Sequence, residues 1–212
     1  MSTLIKTIYG ICFFVLFNSA LAAAAQSGLA QQVLAETNLA RTEPGRYLGF
    51  LRDLRRQYQG KLYRLPGSAA MVITSEGVAA LDEAIGFLSK QAPLPALAWS
   101  PGLAEAAADL ASDQGRSGEV GHTGSSGGDM RERIERHGTW MRRIAENIGY
   151  GPDSARLMVL DLIIDDGVPG RGHRKNIFTR DFAVAGVACG THPVYRFMCV
   201  MDFAGGFKSR GK

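Results

Sequence analysis

The densest chemistry in this 212-residue chain lies between Asp161 and Asn176. The stretch reads Asp-Leu-Ile-Ile-Asp-Asp-Gly-Val-Pro-Gly-Arg-Gly-His-Arg-Lys-Asn, so three carboxylates lead through a glycine- and proline-broken loop to His173, flanked by Arg171, Arg174 and Lys175. Acids at the end of a helix oppose its dipole, and Asp165 and Asp166 sit where stability alone would not place them. Asp161 and Asp165 are four apart, a spacing that puts both on one helix face. That face, followed by a loop that returns a histidine, could form one wall of a polar site; a solvated face ending in an ordinary turn is the plainer alternative. Two more residues draw notice. Glu146 interrupts the apolar run Ile144–Ile148, and a carboxylate there needs a partner if it is buried. His122 lies in a glycine- and serine-rich loop from Gly115 to Met130. In that loop Gly124-Ser125-Ser126-Gly127-Gly128 matches the G-x-S-x-G pattern of hydrolase elbows, but no apolar strand precedes it and the match is read as chance. No serine or cysteine stands out as a nucleophile, and no cofactor motif is present.

The elements around these residues follow from periodicity and punctuation. Leu29, Val33, Leu34 and Leu39 predict a helix to Ala40, and Pro44 opens a second that runs to about Tyr58. Gln59 to Thr74 reads as a loop, after which Thr74 caps a helix through Val78, Leu81, Ala84, Ile85 and Leu88. Leu97–Trp99 is extended. Ser100 then caps a helix with Pro101 in its first turn and a small-residue face at Leu103, Ala106, Ala107, Leu110 and Ala111. Arg131 to His137 is a short charged helix, and Ile144–Ile148 is a strand. Asp153 or Ser154 caps an apolar helix reaching Ile164, whose one polar stripe carries Asp161 and Asp165. Two apolar strands, Phe182–Cys189 and Val194–Phe203, close the chain before a mobile tail from Gly205. His137 and His192 read as exposed, Trp99 and Trp140 as core, and Asn147 as a backbone-bonding residue.

Residues 1–25 read as a secretion signal: Lys6 precedes an apolar run from Ile8 to Leu16, and a small-residue patch follows at Ala20–Ala25. The run is too short for a membrane span, and no later stretch is long enough either. An exported chain of roughly 185 residues suits one domain. The expected boundaries are 26–207 for that domain and 208–212 for the tail. The formal charge of +4 is mild and unclustered, which argues against nucleic-acid binding. Of three cysteines, Cys12 leaves with the signal; Cys189 and Cys199 face each other across a presumptive hairpin and are expected to form a disulfide.

Taken in order, Asn38-x-x-Arg41, Leu97-x-Trp99-Ser100, Gly121-His122-Thr123, Ala145-Glu146-Asn147-Ile148, Gly172-His173-Arg174-x-Asn176-Ile177 and Ala185-Gly186-Val187 resemble the CAP superfamily of cysteine-rich secretory, antigen 5 and pathogenesis-related proteins. The closer likeness is to its bacterial SCP-like branch. The resemblance implies an α+β fold, a three-layer α-β-α sandwich with a central, mostly antiparallel sheet. It also implies a cleft lined by two histidines and two acids: His122, Glu146 and His173, completed by Asp165, with Asp161 the runner-up and Asp166 a weaker choice. The chain departs from the family in one large respect, a helical insertion at about residues 45–95, which could roof the cleft or extend the core.

Such a tetrad could do three things. His122 and His173 could hold Zn2+ or another divalent cation with an open coordination position. The four side chains could act as general acid and base without a metal. They could also be a structural network. The family spans peptidases, lipid binders and interaction modules. The favoured expectation is an exported binding module, periplasmic or extracellular, for a lipid or small apolar ligand, a cell-surface component or a protein partner. The alternative is a metal-assisted or acid-base hydrolase, most plausibly a peptidase.

Overall fold

The computed structural model describes residues 28–64 and 71–210. The expected signal segment, residues 1–25 with Cys12, lies outside them. Helix α1 (residues 28–42) is followed at once by α2 (Pro44–Arg55), with Pro44 in its first turn. A hairpin of short strands, β1 (Tyr58–Gln59), β2 (Leu62–Arg64) and β3 (Met71–Ile73), leads to α3 (Val78–Leu88). Strand β4 (Ala98–Trp99) then precedes the long α4 (Pro101–Ser117), and α5 (Met130–His137) leads to β5 (Gly138–Trp140) and β6 (Ile144–Tyr150). Helices α6 (Ala155–Ile164) and α7 (Gly172–Ile177) and strands β7 (Val184–His192), β8 (Arg196–Ala204) and β9 (Phe207–Ser209) complete the chain.

The central sheet has the order β4-β7-β8-β6. Only the β4–β7 pair is parallel; β7–β8 and β8–β6 are antiparallel. Side-chain alternation divides its residues between two layers. Ala107, Leu110 and Ala111 of α4 pack with Ile148, Met198 and Val200 on one face. Residues of α1, α2, α3 and α6 pack with Ala185, Val187, Cys199, Met201 and Phe203 on the other. This is an α+β, three-layer α-β-α sandwich. The small-residue face of α4 lets it approach closely: a Cβ at Gly186 would lie 2.0 Å from the Ala104 nitrogen. Cys189 and Cys199 are cross-strand partners in β7–β8 and form a disulfide. No helix among the described residues is long and apolar enough to cross a membrane.

Several local expectations are corrected. The segment from Gln59 to Thr74 contains β2 and β3, which pair with each other, and β2 also pairs with β1. Thr74 does not cap α3; its hydroxyl donates to the Lys61 carbonyl, and Gly77, at φ 71°, is the N-cap residue. Sheet pairing reaches Ser209 through β5–β9, beyond the point where the sequence suggests a tail. His192 is buried, not exposed, because its ring closes the β7–β8 turn: Nδ1 accepts from the Val194 and Tyr195 amides, and Nε2 meets the Glu119 carbonyl. His137 is mostly buried, with its two ring nitrogens against Glu105 and Asp109.

Candidate functional site

Strand β6 is an edge of the central sheet, and its consecutive residues Glu146 and Asn147 project to opposite faces. Each face carries one histidine.

On the α4 face, Glu146 is buried. Its Oε1 lies 2.8 Å from His122 Nδ1, and its Oε2 accepts from Arg133 Nη2 at 2.6 Å. A carboxylate only accepts, so the neutral His122 ring carries its proton on Nδ1 and turns Nε2 outward. The His122 side chain is 56% exposed. Its main chain is held from both sides. Arg133 Nη1 donates to the His122 carbonyl at 2.9 Å. Before it, Gln114 donates to the Gly121 carbonyl, and the Gly121 amide donates to Tyr150 Oη. Gly121 sits at φ 100°, a backbone that glycine adopts without strain.

Behind Glu146, across the β6–β8 ladder, lies Asp202. It is fully buried, and neither of its carboxyl oxygens has a hydrogen-bond partner among the described residues; Arg133 Nε is also unpartnered. Burial, with the neighbouring Glu146 charge, raises the Asp202 carboxyl well above the usual carboxylate range. The Arg133 guanidinium, paired with Glu146, opposes that rise.

On the other face, Asn147 Nδ2 donates to the His173 carbonyl at 3.0 Å, and Asn147 Oδ1 accepts from Asn176 Nδ2 at 2.8 Å. Asn147 therefore bonds backbone, as expected, and ties α7 to the sheet edge. His173 Nδ1 lies 2.7 Å from Asp165 Oδ1, while Asp165 Oδ2 accepts from the His173 amide at 2.9 Å and the Arg174 amide at 3.3 Å. Asp165 thus caps the first turn of α7 and orients the ring with the same carboxylate. Its position is not the helical one that the i, i+4 spacing suggested. Asp165 terminates α6 in the left-handed conformation, at φ 59°, which aims its side chain away from the Asp161 face. The last α6 carbonyls, Ile163 and Ile164, accept from the buried Arg174, which offsets the acid at the dipole's negative end. Asp161 and Asp166 do not touch His173. Asp166 accepts instead from the Ser75 and Glu76 amides.

The structure so pairs His122 with Glu146 and His173 with Asp165, one dyad on each side of β6. Arg133 and Asp202 went unnoticed in the sequence. Ser125, in the G-x-S-x-G match, donates both its amide and its hydroxyl to Asp113 and has no histidine beside it. The model for CAP, the cysteine-rich secretory protein family, matches residues 34–203. The chain belongs to this family.

Three solved structures are similar to this CAP domain. One is an extracellular protein containing an SCP domain from Bacillus anthracis, 23% identical over 52% of this chain and 34% of that one, with a TM-score of 0.43. An outer surface protein from Borrelia burgdorferi is 18% identical over 55% of this chain and 80% of that one, at 0.45. A cysteine-rich secretory protein from Staphylococcus aureus is 15% identical over 74% and 48%, at 0.42. The chain spans about a third of the Bacillus protein and about half of the Staphylococcus protein. No curated protein matches it.

In this CAP domain the acid of each dyad is held by hydrogen bonds. Both oxygens of Glu146 and both of Asp165 are already engaged, which leaves two imidazole Nε2 edges. Among the described residues no three His, Cys, Asp or Glu side chains converge as a metal site requires.

Proposed function

We propose that this CAP domain is an exported binding module that presents the His122 and His173 ring edges to a cell-surface component, a lipid or a protein partner. The observation that carries this reading is the commitment of both acids. Each carboxylate oxygen of Glu146 and Asp165 already holds a ring, main-chain or guanidinium donor, which supports a role for both acids in orienting the imidazoles. Among the described residues no hydroxyl or thiol is hydrogen-bonded to either ring. The Cys189–Cys199 disulfide and the signal-like residues 1–25 support export. A divalent cation, zinc included, would rest on two imidazoles, and no step here depends on one.

The test compares residues 26–212, wild type and His122→Ala/His173→Ala, for sedimentation with the producing cell's envelope fraction and with lipid vesicles, beside a peptide-hydrolysis screen and a zinc titration. Losing two ring contacts should weaken binding about tenfold or more, the equivalent of ~1.4 kcal/mol. Equal binding by both proteins would sink the reading. One observation favours a second reading. A ring with Nδ1 on a carboxylate and Nε2 outward is the arrangement of a general base, able to activate water against a peptide. Peptide turnover that disappears in the double variant would establish that activity instead.

A further inference from the structure

The inserted segment reaches the second histidine through a closed ionic lattice. Asp166 accepts from the Ser75 and Glu76 amides at 2.6 and 2.8 Å, just ahead of α3. Glu76 returns the contact: it accepts from the Gly167 amide at 2.7 Å and takes both terminal nitrogens of Arg171, at 2.6 and 2.7 Å. Glu83, on α3, accepts from Arg171 Nε and Nη2 and, through its other oxygen, from Arg174 Nη1 at 2.8 Å. Arg171 Nη1 also donates to the Asp165 carbonyl at 2.8 Å. The side chains of Arg171 and Arg174 are 14% and 3% exposed and those of Glu76 and Glu83 are 39% and 51% exposed, so the lattice lies at the surface, and its multidentate, shared contacts set it apart from isolated bridges that contribute little.

The lattice closes on a backbone that needs holding. Between α6 and α7 the chain passes through Asp165 at φ 59° and Arg171 at φ 55°, both left-handed and neither a glycine. Those two residues bracket the loop that returns His173. Asp165 supplies the carboxylate on the His173 ring, and Arg171 is the N-cap residue of the helix that carries it. The inserted acids grip Arg171 directly and reach Asp165 only through it, since Arg171 Nη1 donates to the Asp165 carbonyl.

We propose that Glu76 and Glu83 are positioning residues for His173. They clamp Arg171 and Arg174, and through them the left-handed turns that keep Asp165 on the imidazole. The insertion is thereby the outer support of one half of the site, not a roof over it and not merely more core. The proposal deepens the reading in which His173 acts at the site.

The measurement is long-range 1H–15N NMR of the two imidazoles at a pH where both are neutral, in wild type and Glu76→Gln/Glu83→Gln. Wild type should show His173 as the Nδ1–H tautomer. The double variant should lose that signature to a mixture of tautomers, while His122, on the far face of β6, keeps its own. Leu81→Ala, which removes a fully buried α3 side chain outside the lattice, should lower the Tm and leave both rings unchanged. If the double variant does not fold, Glu76→Gln alone changes one carboxylate on a side chain that is 39% exposed and reads the same ring. An unchanged His173 ring in these variants, or an equal change at His122, overturns the proposal. No ligand enters the measurement, so this result stands apart from the binding test of the site itself.

Discussion

Arg41 offers the sharpest test of how this fold is held. Its side chain is fully buried and pairs with no carboxylate among the described residues; it donates to four main-chain carbonyls. Nε reaches Pro95 at 2.9 Å, Nη1 reaches Ile177 at 2.7 Å and Thr179 at 3.0 Å, and Nη2 reaches Phe182 at 3.4 Å. One guanidinium therefore joins α1, the lead into β4 and the loop leaving α7. In Arg41→Met the volume is nearly kept and the four acceptors remain. A buried carbonyl left without a donor costs about 1–3 kcal/mol, and a hydrogen bond to a charged group contributes about 1.5–3 kcal/mol. Partial entry of water recovers some of this, which leaves an expected loss of about 3–5 kcal/mol, a large share of the roughly 5–15 kcal/mol available to a domain. Arg41→Lys should recover less than half, because an ammonium lacks the planar fork that spans separated acceptors. Urea unfolding monitored by circular dichroism gives the difference from the midpoint at constant m-value. A loss below about 1 kcal/mol for Arg41→Met would refute the claim that this residue's carbonyl bonds stabilise the junction.

Three further outcomes follow from other parts of the structure. Burial, and then the charge of Asp166, push the Asp161 carboxyl up to about 7. A folded pKa above the unfolded value means that the native state holds a proton which the unfolded chain has released, so this residue's contribution falls as pH rises from about 4 to 7 and stays low above. Asp161→Asn should consequently stabilise the protein at pH 8 by roughly 2–4 kcal/mol and change little near pH 4, as thermal melts at the two pH values would show. Gly186→Ala would press a Cβ to 2.0 Å from the Ala104 nitrogen and 2.2 Å from the Leu103 carbonyl carbon; backbone cannot swing aside, and a loss of about 3 kcal/mol or more is expected in denaturant unfolding. Cys189→Ala/Cys199→Ala opens a loop of sequence separation 10 inside a hairpin already registered by β7–β8, so the loss should stay near 2 kcal/mol and the fold should survive, by circular dichroism.

The parts of the site that were legible in the sequence are those whose residue types clash with their surroundings. Glu146 stood out because it interrupts an apolar strand, and His173 because a broken loop delivers it among cations. Asp202 carries the same signal, a lone acid in the apolar run Met198–Ala204, and passed unremarked among residues read only as a closing strand. Arg133 was hidden for the opposite reason. In Arg-Glu-Arg-Ile-Glu-Arg-His every polar position looks alike, and only the packing of Ile134 shows which cation turns inward. Asp165 follows from the spacing of the family it resembles, while the i, i+4 spacing with Asp161 says nothing of the left-handed stop that ends α6, where Asp165 meets His173. The hairpin at β1–β3 escaped because strands of two or three residues, broken by Gly60 and Lys61, present no period to count. Tyr58 and Tyr63 stack at 4.7 Å across it, a contact that only pairing reveals.

The opposed projection of Glu146 and Asn147 has a mechanical meaning. The His122 ring is tied to Glu146 on one face of the edge strand and the His173 main chain to Asn147 on the other, so a single strand is the seam between these two attachments. A molecule that touched both rings would act as a staple across that seam, resisting any sliding of one attachment against the other. Its arrival would then be felt as slower amide exchange along the whole of β6, far beyond the atoms in contact, because opening the edge would first require letting go of the staple.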